Sequence, residues 1–141
     1  MPLVISDAAA TASVRAQCAL VDVDGPGVLQ VRTGSAPGAA DASPTGTLLA
    51  SFELSDPAFA ASSAGSETMQ GLPMTEPASS SGTAGHVRVA DGDDTGVFVG
   101  NARSQSAPDN GEIAVLNTTA LVEDVDVTVL ACVINQPSTA S

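Results

Sequence analysis

The stretch Val125-Asp-Val-Thr-Val-Leu-Ala-Cys-Val-Ile134 begins as a strict in–out alternation and ends as an unbroken apolar run. A strand with one wet face alternates, whereas a strand covered on both faces need not. The segment therefore predicts a closing strand whose second face, where Leu130, Cys132 and Ile134 point, is partly buried. The cover is either another element of the chain or a neighbouring copy, and the residues leave that choice open.

One candidate cover lies at the other end of the chain. Residues 6–21 predict the only helix: Ser6 can cap it, Asp7 favours its positive end, and the Ala-rich run that follows has high helix propensity. Val14, Cys18 and Val21 repeat at i, i+4 and i+7, with Ala10 one turn earlier, so the helix carries one apolar stripe. Packing that stripe on the closing strand would bring Cys18 near Cys132. The two cysteines fit no metal-type spacing and no C-x-x-C, and they read as buried, reduced thiols.

After the turn Asp24-Gly-Pro-Gly27 the period changes from 3.6 to two. Val28–Thr33 alternates Leu29 and Val31 against Gln30 and Arg32, and Thr47–Leu54 sets Leu48, Ala50, Phe52 and Leu54 on one face. His86–Ala90 and Val97–Gly100 flank Asp91-Gly-Asp-Asp-Thr-Gly96, which reads as a hairpin connection. Glu112–Leu116 completes a set of six strands with the closing one, and the middle of the chain leaves room for further short ones. This pattern predicts a single all-β domain over residues 1–141: an antiparallel β-sandwich or jelly-roll-like module at 28–134 with a short N-terminal helix. Residues 55–82 lack clear alternation and are expected to form a long loop, and 136–141 a flexible tail. Phe59, Met69, Leu72 and Met74 are more apolar than a solvated linker needs. They either dip into the chain's own core or make the loop a docking arm for another protein. On the second reading, removing 55–82 leaves the sandwich folded and abolishes docking.

Composition closes off several function classes. Hydrophobic residues make up 43% of the chain but aromatics only 2%, with three Phe, no Tyr and no Trp. Stacking platforms for single-stranded nucleic acid or sugars are therefore scarce. The four basic residues, Arg15, Arg32, Arg88 and Arg103, face sixteen acids, for a net charge of −12. Such a chain is not expected to bind nucleic acid or an anionic membrane. No apolar run approaches the roughly 18 residues of a membrane span. Met1-Pro-Leu-Val-Ile-Ser-Asp7 lacks a basic region ahead of an apolar one, so folding in a cytoplasm is expected.

No catalytic site assembles from the residue types present, and no enzyme activity is expected. His86 is the only histidine, there is no G-x-S-x-G elbow, and the absence of Lys rules out a lysine-bearing phosphate loop. Asp91–Gly96 resembles the front half of a calcium loop, but Ala102 stands where the closing Glu belongs, so neither metal nor cofactor is expected. Asn117-Thr118-Thr119 matches a glycosylation acceptor only by pattern.

Taken in order, the Ala-rich helix, Val28-Leu-Gln-Val-Arg-Thr-Gly34, Thr47-Leu-Leu-Ala-Ser-Phe-Glu-Leu-Ser-Asp-Pro-Ala-Phe59, Gly82-Thr-Ala-Gly-His-Val-Arg-Val-Ala-Asp-Gly92, Thr95-Gly-Val-Phe-Val-Gly100 and Ile113–Asn117 before a final Val-rich strand resemble small virion proteins of tailed bacteriophages. The resemblance covers most of the chain and implies a structural protein, foremost a head decoration or cement protein. Its expected partners are the major capsid protein and two further copies of itself in a homotrimer, on the capsid surface of a virion assembled in the host cytoplasm. Candidate partner-binding residues are Phe59, Met69, Leu72, Met74 and Arg103. A tail or baseplate component, or a carbohydrate- or ligand-binding module, is the alternative.

Overall fold

A computed structural model describes residues 6–23, 25–39, 42–63, 66–107 and 113–135. Asp24, the side chain of Ala10 and the tail 136–141 lie outside the described residues. The helix α1 spans Asp7–Ala19, and its last turn tightens into a 3-10 turn at Leu20–Asp22. Ser6 caps it as expected, its hydroxyl accepting from the Ala9 amide at 3.0 Å. Val14, Cys18 and Val21 are all buried, so the stripe read from the sequence is the face that packs.

The rest is mostly strand: β1 (Val28–Thr33), β2 (Leu48–Glu53), β3 (Phe59–Ser63), β4 (Ser66–Met69), β5 (Met74–Pro77), β6 (Gly82–Ala90), β7 (Gly96–Ser104), β8 (Ala114–Leu116), β9 (Ala120–Leu121) and β10 (Asp126–Asn135). They form one curled sheet in the order β2-β1-β6-β7-β8-β10-β4-β3, with β5 added to β10 and β9 to β6. The expectation of a purely antiparallel sheet needs correcting, because β7 and β8 run parallel, Ala102 to Ser104 beside Ala114 to Leu116. No described helix is long and apolar enough to cross a membrane.

Two rows of side chains define the inner face. Phe52, Leu29, Val89 and Phe98 stand opposite one another across β2, β1, β6 and β7, and Ala50, Val31, Val87 and Gly100 form the next row. Ile113 lies where a side chain on Gly100 would project, with atoms 2.7–2.9 Å from the position of a Cβ there, so the glycine makes room for it. Removing these branched side chains from water stabilises the fold by about 1.5–3 kcal/mol each.

Residues 55–82, expected as a long loop with room for short strands, are more regular than that. They hold three strands, and β10 organises two of them along one edge: β5 pairs with Asp126–Val129 and β4 with Val133–Asn135. Main-chain pairing with an apolar neighbour, rather than the segment's own alternation, makes these strands. Phe59 and Met69 face each other in the β3–β4 pair and are buried, and the Phe59 ring meets Phe98 edge-on at 6.2 Å.

The closing strand itself differs from its reading. Val127 and Val129 are buried, then Cys132 and Ile134, while Val133 is exposed. Val129 pairs with Leu116 and Ala131 with Val115, leaving Leu130 as an extra residue. The apolar run is therefore a β-bulge that resets the alternation and keeps one face inward. The strand buried on both faces is β6, in which His86 to Ala90 are all buried. Its second face is polar, which is why an apolar-run criterion passed over it.

Candidate functional site

The second face of β6 is built around the histidine and one arginine. Gly34, just after β1, lies so close to Gly85 that a Cβ there would overlap the Gly34 carbonyl. Its backbone has the positive φ of 77° that glycine adopts readily. This approach seals His86, whose Nδ1–H donates to the Gly34 carbonyl at 3.0 Å, leaving Nε2 without a hydrogen-bond partner among the described residues. Two positions on, the Arg88 guanidinium donates to the Asp94 carboxylate and main-chain carbonyl, both at 2.8 Å, and to Gln30 Oε1 at 3.4 Å.

The acidic turn at Asp91–Gly96 is organised for the same purpose. Asp91 accepts from the amides of Asp93 and Thr95 at 2.9 Å each, and Asp94 is turned onto Arg88. The carboxylate of Asp91 closes the turn and that of Asp94 pairs with Arg88. No cluster of three potential metal ligands occurs among the described residues.

A second polar feature is a crevice of 140 Å³ where α1 meets β3 and β4, lined by Arg15, Cys18, Asp22, Phe59 and Glu67 among others. Arg15 reaches across it to Glu67 at 3.2 Å, and Asp22 accepts from the Ala58 amide at 2.9 Å. Burial pushes the Cys18 thiol up to about 12, with the carboxylates of Glu67 and Asp22 adding to the effect and Arg15 opposing it. Burial also pushes Cys132 up to about 12, and the nearby Cys18 contributes. Both are free thiols in the core, protonated at neutral pH and poor nucleophiles.

The candidate docking residues separate into three groups. Phe59 and Met69 belong to the chain's own core, where β3 and β4 fold them inward. Leu72 and Met74 are half-buried against that core and keep part of their surface in solvent. Arg103 donates from Nη1 to the carbonyls of Ser104 at 3.4 Å and Ala107 at 3.0 Å, bracing its own turn. Arg32 likewise binds Gln30 and the carbonyls of Thr45 and Gly46, so all four arginines have partners within the chain.

Among the described residues, the two most exposed large apolar side chains were not among the expected docking residues. Val122 and Val125 are 55% and 56% exposed on the turn before β10, beside exposed Glu123, Asp124 and Asp126. Three anchors hold this turn: Glu123 N–H to Ser81 Oγ at 2.9 Å, Asp124 N–H to the Ala78 carbonyl at 2.9 Å, and Ala78 N–H to the Val125 carbonyl at 3.0 Å. The alternation read from the sequence set Val125 in phase with Val127 and Val129 at the head of the closing strand, whereas it lies in the turn before β10; Val122 falls between the expected strands. Compared with protein-family models, curated proteins and solved structures, the chain matches none.

Proposed function

We propose that this chain is a non-enzymatic structural protein of a bacteriophage virion, a decoration or cement protein that docks on the major capsid protein of the head shell as a homotrimer. One observation carries the reading: a turn anchored at three points presents Val122 and Val125 to solvent. A docking surface needs apolar contacts in fixed positions, and this anchored turn offers two. The acids around them favour a partner surface that is apolar at its centre and basic at its rim. Three copies on one symmetry axis engage three such sites together, so weak single contacts add through effective concentration. The resemblance of the sequence segments, taken in their order along the chain, to small phage virion proteins supports the same reading.

We read the curled sheet as a jelly-roll-like sandwich. The rows headed by Leu29 and Val31 and the inward residues Leu116, Val127 and Val129 belong to one buried cluster, as two facing layers require.

The test is reconstitution. Purified chain added to heads that lack it is expected to co-sediment at a saturating, lattice-related copy number and to raise the temperature at which the shell breaks. A folded chain that stays in the supernatant at high concentration overturns the proposal.

A further inference from the structure

The crevice between α1 and the β3–β4 pair has no part in the docking reading, and its charges are incompletely matched. Glu67 of β4 lines it with a side chain only 4% exposed, yet the carboxylate accepts one hydrogen bond, at Oε2, from the 57%-exposed Arg15. Asp22, from the 3-10 turn after α1, uses Oδ1 on the Ala58 amide. The other oxygen of each, Glu67 Oε1 and Asp22 Oδ2, accepts no hydrogen bond among the described residues. A buried carboxylate is ordinarily satisfied at both oxygens, because a charge taken out of water is stabilised only by close partners. An arginine mostly in solvent supplies little of that. The crevice sets two negative charges against one positive, and its 140 Å³ is roughly ten times the volume that one water needs. The Phe59 ring and Pro57 add an apolar wall beside the acids.

We propose that this crevice is a binding site for a primary alkylammonium group, whose N–H donors meet Glu67 Oε1 and Asp22 Oδ2 while its alkyl stem lies along Phe59 and Pro57. Ammonium fits better than guanidinium. Three donors around one nitrogen can divide between two single oxygens, whereas a planar fork matches both oxygens of one carboxylate, and Arg15 already holds Glu67 Oε2. The charge of both carboxylates reaches the crevice floor, since each helps to raise the Cys18 thiol there. Arg15 stands at the rim as a like charge and weakens the ligand's binding. The same group arrives either on a free alkyl diamine or at the end of a partner's lysine side chain. The site is separate from the valine turn before β10, so either can fail without the other.

The experiment titrates the full, isotope-labelled chain with butylamine, diaminobutane and capped lysine, following backbone amide resonances. Butylamine should move the amides of Cys18, Asp22, Phe59 and Glu67 together and saturate with a Kd of about 1 mM, as suits a ligand of so few atoms. Butylguanidinium should bind about threefold more weakly, and butanol, which lacks the charge, should not bind. Tighter binding of the diamine would assign the site to a free amine, and tighter binding of capped lysine to a partner's side chain. Glu67→Gln should weaken butylamine about tenfold. Arg15→Ala, a change at an exposed side chain, should keep the fold and tighten butylamine about threefold. Shifts spread over the acidic surface without saturation would mean nonspecific cation binding and overturn the proposal. A folded Arg15→Ala chain that binds butylamine no better than wild type, or butanol binding as well as butylamine, would overturn it too.

Discussion

The buried guanidinium of Arg88 grips Asp94 twice, through its carboxylate and its main-chain carbonyl, at 2.8 Å each. The arginine side chain is 5% exposed and the aspartate 69%, so a buried cation is neutralised from the solvent side. Asp94 holds a left-handed backbone, φ 64°, which Asn and Asp tolerate better than most residues. The pair thus fastens the β6–β7 hairpin and permits a charge on the covered face of a central strand.

Asp94→Asn keeps the backbone preference and removes the charge. It should lower stability by about 1–2 kcal/mol, the cost of weakening a charged hydrogen bond to a buried group. Asp94→Val, which also disfavours the positive φ, should cost more. Urea midpoints measure both, and an unchanged midpoint for Asp94→Val would refute this role.

Leu130 is the extra residue of the β10 bulge. Deleting it should regularise the strand and keep Cys132 and Ile134 inward, costing about 1–2 kcal/mol for one partly buried Leu. Deleting Thr128, outside the bulge, should turn Val127 or Val129 toward water and cost at least twice as much. Equal losses in thermal melts would show that the bulge does not set the phase.

Residues 55–82 supply β3, β4 and β5, together with the buried Phe59 and Met69. Truncating those two side chains alone would cost about 3–5 and 2–5 kcal/mol, against a usual total of about 5–15. Deleting the segment should therefore leave an unfolded chain by circular dichroism. A cooperative melt in the deletion variant would restore the loop reading.

The two raised thiols make stability depend on pH above neutrality. An unfolded cysteine loses its proton near 9.0, and each folded one near about 12. Between these values the unfolded chain binds fewer protons, so stability falls as pH rises through that window and is unaffected below it. The wild-type urea midpoint should drop more steeply from about pH 9 to pH 11 than that of the Cys18→Ser, Cys132→Ser double variant. Parallel curves would contradict the burial of both thiols.

Much of this architecture was legible because it rests on periods. The helix stripe of Val14, Cys18 and Val21, the alternation at Leu29 and Val31, and the hairpin at Asp91–Gly96 all follow from local spacing. Strands β3 to β5 were not legible, because Ala, Ser and Pro give no alternation and the pairing partner lies far along the chain. Leu130 misled for a related reason: a bulge and a doubly covered strand give the same apolar run. The candidate site was less legible still. Docking was sought in Phe59 and Met69, the most apolar residues of an irregular segment, yet pairing with β10 draws that segment inward. Exposure fell instead to Val122, between the expected strands, and to Val125, which the alternation had set inward at the head of the closing strand.

On the docking proposal, those two valines separate attachment from folding. Val122→Asp and Val125→Asp alter side chains more than half exposed, so each should change stability by less than about 0.5 kcal/mol. Attachment to heads should weaken at least tenfold in a co-sedimentation titration. Full attachment by the double variant would remove this turn from the interface.

The position of the chain on an intact particle tests the account most directly. Electron cryo-imaging of virions carrying the wild-type protein, compared with virions lacking it, should show extra three-fold density repeated over the head lattice, with the Val122–Asp126 turn against the shell. Density confined to the tail, or no difference between the two particles, would contradict it.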